Sequence, residues 1–275
     1  MFEKRAEAFV LIAPAALFSL AVFVAPVLEL LSEGFHFEGH WSLQPLSAFF
    51  ASSLNQAVFW RTLKIAALVT AAAAGLGYLA AQAIVDIKGG GKGRMVAMVV
   101  LPLMVSPVAR TYAWIVILGR TGIVNRALIF VGLTDEPLRI LFSETAIFIG
   151  LLQLLLPLMI LSLIGALENL PRDAVAAARV LGANDLQIFV KIILPLTREG
   201  FAVGGTLVFA GSMTAYITPA VLGGAKVLML ETLLYQRVSI ANDLVTAGLI
   251  ASLLIAMSFA ANLVLRRIAR ARSAS

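Results

Sequence analysis

Two histidines and two glutamates in one short segment are the residues of this sequence that could most directly bind a metal ion. They are Glu33, His36, Glu38 and His40. Imidazole and carboxylate groups are zinc ligands, but a zinc site also needs neighbouring groups that hold its ligands in position. Two glycines make the segment irregular. We therefore interpret it as a solvated loop and predict no metal site.

The rest of the chain offers little for catalysis. It has only these two histidines and no cysteine, so we expect neither a Ser–His–Asp hydrolase nor a disulfide or thiolate site. The glycine-rich segment Gly89–Gly93 lacks the Gly-x-x-x-x-Gly-Lys-[Ser/Thr] spacing of a phosphate-binding loop. We predict no catalytic residue and no cofactor in this chain.

The amino-acid composition indicates that this chain folds in a membrane and not in water. Of its 275 residues, 61% are hydrophobic and 13% are charged, whereas soluble domains carry about 25% charged residues. The mean hydropathy is +0.98. The net charge of +6 lies mainly at the edges of apolar segments, as orientation signals do. The composition predicts a polytopic membrane protein that does not bind nucleic acid.

Six apolar segments are long enough to cross a bilayer, which takes about 20 helical residues. Short segments of alternating polarity, as in a β-barrel, are absent from the sequence, so we predict an all-α fold. The third segment is interrupted by Pro102, Pro107 and Arg110. The first has a charged start like that of a signal peptide but is too long for one, so we expect it to be retained. The predicted spans are Ala8–Leu31, Thr62–Val85, Met95–Leu118, Ala146–Leu167, Gly200–Leu222 and Leu244–Leu265.

Lysine and arginine predict the orientation of these spans. Thirteen of the 21 lie in the segments that share a side with both termini. Basic residues accumulate on the cytoplasmic side of membrane proteins. The tail Arg266–Arg272 is the clearest such anchor. Both termini and the long polar segment between spans four and five, residues 168–199, are therefore predicted to be cytoplasmic.

This polar segment has the local signals of two short helices. Pro171 suits the first turn of a helix, and an alanine-rich run with high helix propensity follows. Gly182 can end that helix, and either Asn184 or Asp185 can cap a second one. Pro195 can then open the next long helix. Two short helices bent at a glycine beside a membrane are typical of an element that binds a partner.

The spacing in the segment resembles a motif of the permease subunits of ATP-binding-cassette (ABC) importers. That motif reads Glu-Ala-Ala, three residues, Gly, nine residues, then Ile-x-Leu-Pro. Here Ala176–Ala178 occupy the first three positions, and Gly182 is followed after nine residues by Ile192–Pro195. The leading acid is replaced by Ala176. Asp173, one helical turn earlier, could supply a carboxylate in its place.

Two further segments resemble the spermidine/putrescine-type branch of that family: Ser106–Trp114 and Ile217–Gly224. With the loop, the likeness extends from about Lys92 to Arg267. It implies a type I ABC importer permease fold with six transmembrane helices, forming a single permease domain over residues 1–275. It also implies the bacterial inner membrane, a second permease subunit that we expect to be a different chain, and a periplasmic solute-binding protein. An ABC ATPase dimer would bind ATP and Mg.

The resemblance implies that the loop couples the permease to its ATPase. Three small alanines permit close approach, and two arginines can meet acidic groups of the partner. Helix propensity alone would also explain the alanines, but the spacing of the motif favours coupling. The predicted coupling residues are Arg172, Asp173, Ala176, Ala177, Ala178, Arg179, Gly182 and Pro195.

Polar residues inside spans are candidates for the solute pathway because they are costly to bury in lipid. Helix packing through small residues explains the polar residues of the fifth span equally well. Anchoring at the membrane interface explains the aromatic residues of the third span equally well. No Asp or Glu lies within the predicted fifth span, so a polyamine and another small amine-bearing or zwitterionic solute both fit. The candidates are Arg110, Tyr112 and Trp114 in span three and Ser212, Thr214, Tyr216 and Thr218 in span five.

An ion-coupled secondary transporter or half-transporter is the competing class. Such proteins are often built from repeated halves and use carboxylates buried in the membrane. The first three spans show no convincing similarity to the last three, and no carboxylate suited to a proton or sodium site is evident. Both features favour the importer permease.

Overall fold

A computed structural model describes residues 13–37 and 39–270 of the chain. Glu38 and residues 8–12 of the first predicted span lie outside this description. The elements are helices and one short antiparallel ribbon, which confirms the predicted all-α class. In chain order they are α1 (Ala13–Glu33), β1 (His36–Phe37), β2 (His40–Trp41), α2 (Gln44–Ala51), α3 (Ser53–Val85), α4 (Gly91–Met104), α5 (Pro107–Leu118), α6 (Ile123–Phe130), α7 (Glu144–Glu168), α8 (Arg172–Val180), α9 (Asp185–Thr214), α10 (Ile217–Leu222), α11 (Leu230–Ser239) and α12 (Leu244–Arg270).

Six helical stretches among the described residues are long and apolar enough to cross a membrane, as predicted. They are α1, α3, α5 with α6, α7, α9 and α12. The predicted third span, Met95–Leu118, is wrong. The helix breaks between α4 and α5 because Val105 and Ser106 are extended (ψ 136° and 128°), as sterics favour for a residue that precedes a proline such as Pro107.

The predicted fifth span, Gly200–Leu222, also needs correction. The structure has no separate second short helix, because α9 runs without interruption from Asp185 to Thr214. It ends where Ala215 becomes extended (ψ 119°), and α10 begins two residues later. The acids Asp185 and Glu199 consequently belong to the fifth helix, whereas the predicted span contained none.

Pro195 lies inside this long helix because a wider turn precedes it. Phe189–Ile193 form a π-helical turn in which the Leu194 amide donates to the Phe189 carbonyl. A proline has no amide hydrogen and its ring clashes with the carbonyl four residues earlier. A π turn is a known way for a helix to absorb such a disruption. The same arrangement recurs in α1, where the π turn Leu20–Val24 comes just before Pro26.

The described chain forms two compact units, Met1–Gln56 with Leu233–Ile255, and Ala57–Thr232 with Ala256–Ser275. In the first, the backbones of α1 and α12 touch at Gly34 and Gly248. In the second, α7 supplies much of the buried core that it shares with α3 and α9. The interpretation of residues 1–275 as one permease domain stays a prediction.

One buried amide fixes the connection between the third and fourth spans. The Asn125 side chain is fully buried and donates to the Gly119 and Leu138 carbonyls at 2.9 and 3.0 Å. Its Oδ1 accepts from the Leu138 amide at 2.8 Å. These bonds satisfy backbone groups that have no hydrogen-bond partner within a helix. They therefore hold α6 in place after the helix break at Gly119.

Candidate coupling helix and translocation residues

Helix α8 is a short alanine-rich helix with charges placed to stabilise it. Pro171 stands at its N-cap in an extended conformation, so the helix begins at Arg172. Asp173 lies in the first turn and Arg179 in the last. This order of charge opposes the helix dipole at both ends and stabilises the helix. The predicted short helix is present, but Pro171 lies at its N-cap and not in its first turn as predicted.

The end of α8 is a Schellman motif centred on Gly182. The Gly182 amide donates to the Arg179 carbonyl and the Ala183 amide to the Ala178 carbonyl, each at 3.0 Å. Gly182 has φ +81°, and a Cβ placed there would have no atom within 4 Å. Glycine is therefore required here by backbone conformation and not by crowding.

The start of α9 is closed by a capping box. The Asn184 Oδ1 accepts from the Gln187 amide at 2.8 Å, and the Gln187 Oε1 accepts from the Asn184 amide at 3.0 Å. Asn184 is therefore the cap, and Asp185 begins the helix. Arg179 spans the bend and pairs with Asp185 at 3.5 Å. Together with the Schellman motif, these contacts give the turn between α8 and α9 a defined geometry.

Part of the exposed surface of α8 is apolar. Ala176 and Ala177 are exposed, and Ala178 is half-buried. Val180 and Leu181, which follow, are 88% and 86% exposed. Sequence reasoning missed these two residues, although a pair of large apolar side chains next to a helix-ending glycine was a visible signal. Exposed apolar groups at this position suit contact with another protein.

The inner surface of α8 borders a cavity of about 760 Å³. Val175 and Arg179 line it from α8, while Tyr78 and Asp86 line it from the end of α3. A salt bridge between Lys92 and Glu168 lies beside it. Helix α8 therefore stands off the end of α3, and its main contacts are with the start of α9.

The candidate pathway residues of the third span lie on α5. The Arg110 Nη1 donates to the Pro102 carbonyl at 2.8 Å, which satisfies a backbone group at the helix break and not an acid. Tyr112 is exposed. The Trp114 indole N–H donates to the Gln153 Oε1 of α7 at 3.4 Å. Gln153 was missed by sequence reasoning, although it is the one amide in a long apolar run.

The candidates of the fifth span point in different directions. Ser212 is fully buried and donates to the Val208 carbonyl of its own helix at 2.7 Å. Thr214 is exposed and donates to the Ala210 carbonyl. Tyr216 stands at the helix break as the N-cap of α10. Thr218 is buried against Gly150 of α7.

The histidine segment has ordinary local contacts. The His36 Nδ1 is 2.9 Å from the Ser32 carbonyl oxygen, and its ring packs on Trp41 at 4.4 Å between centroids. Among the described residues, no group of three or more His, Asp or Glu side chains is arranged to hold a metal ion.

Comparison with known proteins assigns the chain to a family. Residues 74–273 match the model of the family described as binding-protein-dependent transport system inner membrane component. The spermidine/putrescine transport system permease protein PotB of Haemophilus influenzae is 37% identical over 217 residues, 76% of each chain. The Escherichia coli PotB is 33% identical over 63% of each chain. The chain thus spans somewhat less than two thirds of the length of this second relative.

The fold has a close counterpart among solved structures. A chain of a bacterial alginate ABC transporter, crystallised in complex with an alginate pentasaccharide-bound periplasmic protein, superposes with a TM-score of 0.77 at 17% identity. The match covers 98% of this chain and 96% of that one. This structural similarity shows that the two chains share a fold.

This protein belongs to the family of inner membrane components of binding-protein-dependent transport systems. It is a multi-pass inner membrane protein and a permease subunit of an ABC importer. The predicted importer class is therefore confirmed in preference to an ion-coupled transporter.

Proposed function

We propose that α8 is the element through which this permease receives the motion of its ATPase, with α8 and both termini in the cytoplasm. The observation that carries the proposal is the rigid bend at Gly182, closed by the Schellman motif on one side and the capping box on the other. A helix fixed in this way moves as one body with α9, a helix long enough to cross the membrane. Force applied to α8 would therefore reach the membrane.

The contact surface on α8 follows from what is exposed. Ala176 and Ala177 let the partner come close to the helix backbone, and Val180 and Leu181 supply apolar area. Arg179 is paired within the chain. The exposed Asp173 would supply the acid that the family motif carries at position 176.

The remaining assembly is proposed from the family. An ABC ATPase dimer would bind ATP and Mg and perform the hydrolysis, so that this chain is a non-catalytic subunit. A second permease subunit, a different chain, would complete the translocation pathway within the lipid bilayer. A periplasmic binding protein would deliver the solute.

The proposed solute is a polyamine or a related small amine. The relatives with the highest identity given above carry spermidine/putrescine transport in their names. In the membrane, the Trp114 ring and the Gln153 amide oxygen of neighbouring helices provide a π face and an acceptor. Both are groups that an ammonium ion binds.

Coupling is tested in the purified complex with its ATPase and binding protein, reconstituted in proteoliposomes. Gly182→Asp is expected to abolish the stimulation of ATP hydrolysis by loaded binding protein, because the side chain disfavours the left-handed conformation of the bend. Gly132→Asp is the matched control, since Gly132 has φ +75° and equally open space but lies outside the loop. Retained stimulation in Gly182→Asp at normal complex abundance would refute the coupling role.

The solute is tested separately by uptake of labelled spermidine into the same proteoliposomes. Saturable, ATP-dependent uptake supports the proposal. Coupling that responds to Gly182→Asp while neither spermidine nor putrescine is taken up would leave the importer role intact and refute the polyamine assignment.

A further inference from the structure

Helices α4 and α5 together lie beside α7 along its length. Lys92, at the start of α4, forms a salt bridge with Glu168 at the end of α7. Leu118, at the end of α5, packs in one buried cluster with Ala146 near the start of α7. Since α7 is long and apolar enough to cross a membrane, the break between α4 and α5 lies near the middle of the bilayer.

The backbone at this break is exposed and irregular. Val105 and Ser106 are both exposed and non-helical. The last carbonyls of α4 and the first amides of α5 therefore lack partners in their own helices, and the Ser106 side chain makes no capping hydrogen bond. Irregular backbone does not face lipid in the hydrocarbon core, because unsatisfied polar groups are costly there. Lipid is therefore unsuited to cover this surface.

Arg110 places a positive charge at the same depth. It is half-buried in the first turn of α5, and its Nη1 donates to the Pro102 carbonyl across the break at 2.8 Å. No carboxylate in the part of the chain that the structure describes pairs with it. A charge inside a membrane is costly unless water or a group of opposite charge meets it. Arg110 therefore needs water or a carboxylate from outside this chain.

Apolar side chains flank the break on both helices and are unsuited to water. Met98, Leu101 and Met104 follow at intervals of three residues on one face of α4, and all three are exposed, Met104 by 83%. Val108 at the start of α5 is exposed as well. An exposed apolar surface of this extent marks contact with protein or lipid. A protein partner is the one covering that fits the apolar side chains, the irregular backbone and the arginine together.

A second copy of this chain could not supply the carboxylate. Within the six predicted apolar segments the only acid is Glu29, two residues before the end of the first segment. The two acids of α9, Asp185 and Glu199, precede the apolar part of that helix. The partner is therefore a different chain that carries an acid near the middle of one of its spans.

We propose that the exposed side of α4 and α5 around the break binds the second permease subunit, and that a carboxylate of that subunit forms an ion pair with Arg110. The inference rests on the proposed assembly, in which the second permease subunit is the other protein within the bilayer. Arginine suits such a pair, because its planar guanidinium can donate to the Pro102 carbonyl and to a carboxylate at the same time. The methionine side chains of α4 can adapt to the shape of the partner.

The contact is tested by replacing Met104 with a photo-crosslinking amino acid in the full complex, in native membranes. We expect the main adduct to join this chain to the second permease subunit, with the crosslinked residue identified by mass spectrometry. Val99 of α4 is the control position. It packs against the buried core, so a crosslinker there should react within this chain.

The ion pair is tested by the amount of second subunit that stays with this chain after detergent extraction. Arg110→Gln should lower this amount roughly tenfold, because the carboxylate of the partner is left without a counter-charge. Arg110→Lys keeps the charge and should retain most of the second subunit. Arg120→Gln is the matched control, since Arg120 is exposed and lies after the end of α5.

A charge exchange separates the ion pair from simple misfolding. Arg110→Glu alone should lose the second subunit. Combined with a lysine in place of the acid nearest the crosslinked residue of that subunit, it should regain assembly, because the pair is restored with its charges reversed.

Four results would overturn the inference. They are crosslinks from position 104 mainly to lipid, a crosslinked region of the second subunit without an acid within one helical turn, unchanged retention in Arg110→Gln, and no recovery on charge exchange. A wild-type complex that contains no second permease subunit would refute the proposed assembly itself, so the two failures are distinguishable.

Discussion

Gly200 of α9 lies directly against Ala166 of α7. A Cβ built on Gly200 would be 2.5 Å from the Ala166 Cβ, closer than any two such carbons can approach. The contact is reinforced by the Ser162 hydroxyl, which donates to the Gly200 carbonyl at 2.8 Å. Small residues at such crossings let helix backbones approach closely in a membrane. The position of α9 against the core helix α7 therefore depends on the absence of a side chain at 200.

This contact predicts that Gly200→Val loosens α9 from α7. The displaced atoms belong to a backbone-anchored methyl group and a carbonyl, which cannot rotate away, so we expect a loss of about 1–3 kcal/mol of stability. The measurement is the Tm of the purified protein in detergent. Gly165→Ala on α7 is the control, since a Cβ there meets nothing within 4 Å. An unchanged Tm in Gly200→Val would mean that the two helices are not in this contact.

A second prediction concerns the start of α9. Asn184→Ala removes the acceptor for the Gln187 amide and should cost about 1 kcal/mol of local stability, seen as faster hydrogen exchange at residues 185–188. Asn184→Asp retains a capping oxygen and should exchange at nearly the wild-type rate. If both variants exchange alike, the capping box does not fix the bend.

The third prediction concerns membrane topology. Because the sequence contains no cysteine, a thiol reagent can label only the cysteine that is introduced. A single cysteine at Ala183 or Lys88 should react with a membrane-impermeant thiol reagent only after cells are permeabilised, because basic residues favour the cytoplasmic side. A cysteine at Leu43, which is 69% exposed, should react in intact cells. Labelling of the Ala183 variant in intact cells would place α8 on the outer side and contradict the proposed coupling.

The sequence predicted the existence of six spans and of the short helix α8 because their signals are local. Apolar length identifies a span, and Pro171 and Gly182 mark the limits of α8 by restricting the backbone. The sequence did not predict that the second short helix continues into α9. Pro195 alone indicates a helix start, whereas in the structure a π turn before it lets the helix continue. The Trp114–Gln153 contact was missed as well, because it joins residues 39 positions apart and depends on the packing of α5 against α7.

That contact leads to the fourth prediction. If Gln153 and Trp114 face the solute, Gln153→Leu should raise the KM for uptake several-fold while the complex assembles normally, because one hydrogen-bonding group is lost. Tyr216→Ala should likewise slow uptake at equal complex abundance. Ser212→Ala is the comparison, since the Ser212 hydroxyl is buried and bonded within its own helix. Unchanged uptake in Gln153→Leu and Tyr216→Ala would assign both residues to helix packing.

The last prediction uses Glu231, in α11 and outside the spans. Burial raises the pKa of its carboxyl above the ordinary value. The folded protein therefore holds this proton more tightly than the unfolded chain does, so stability falls as pH rises from the ordinary pKa through the raised one. Glu231→Gln should remove this slope and raise the Tm at neutral pH. Thermal unfolding in detergent between pH 4.5 and pH 8 tests it, with Glu136→Gln as the control because Glu136 is exposed. A difference between wild type and Glu231→Gln that stays constant over this range would show that the Glu231 carboxyl does not titrate differently in the folded protein.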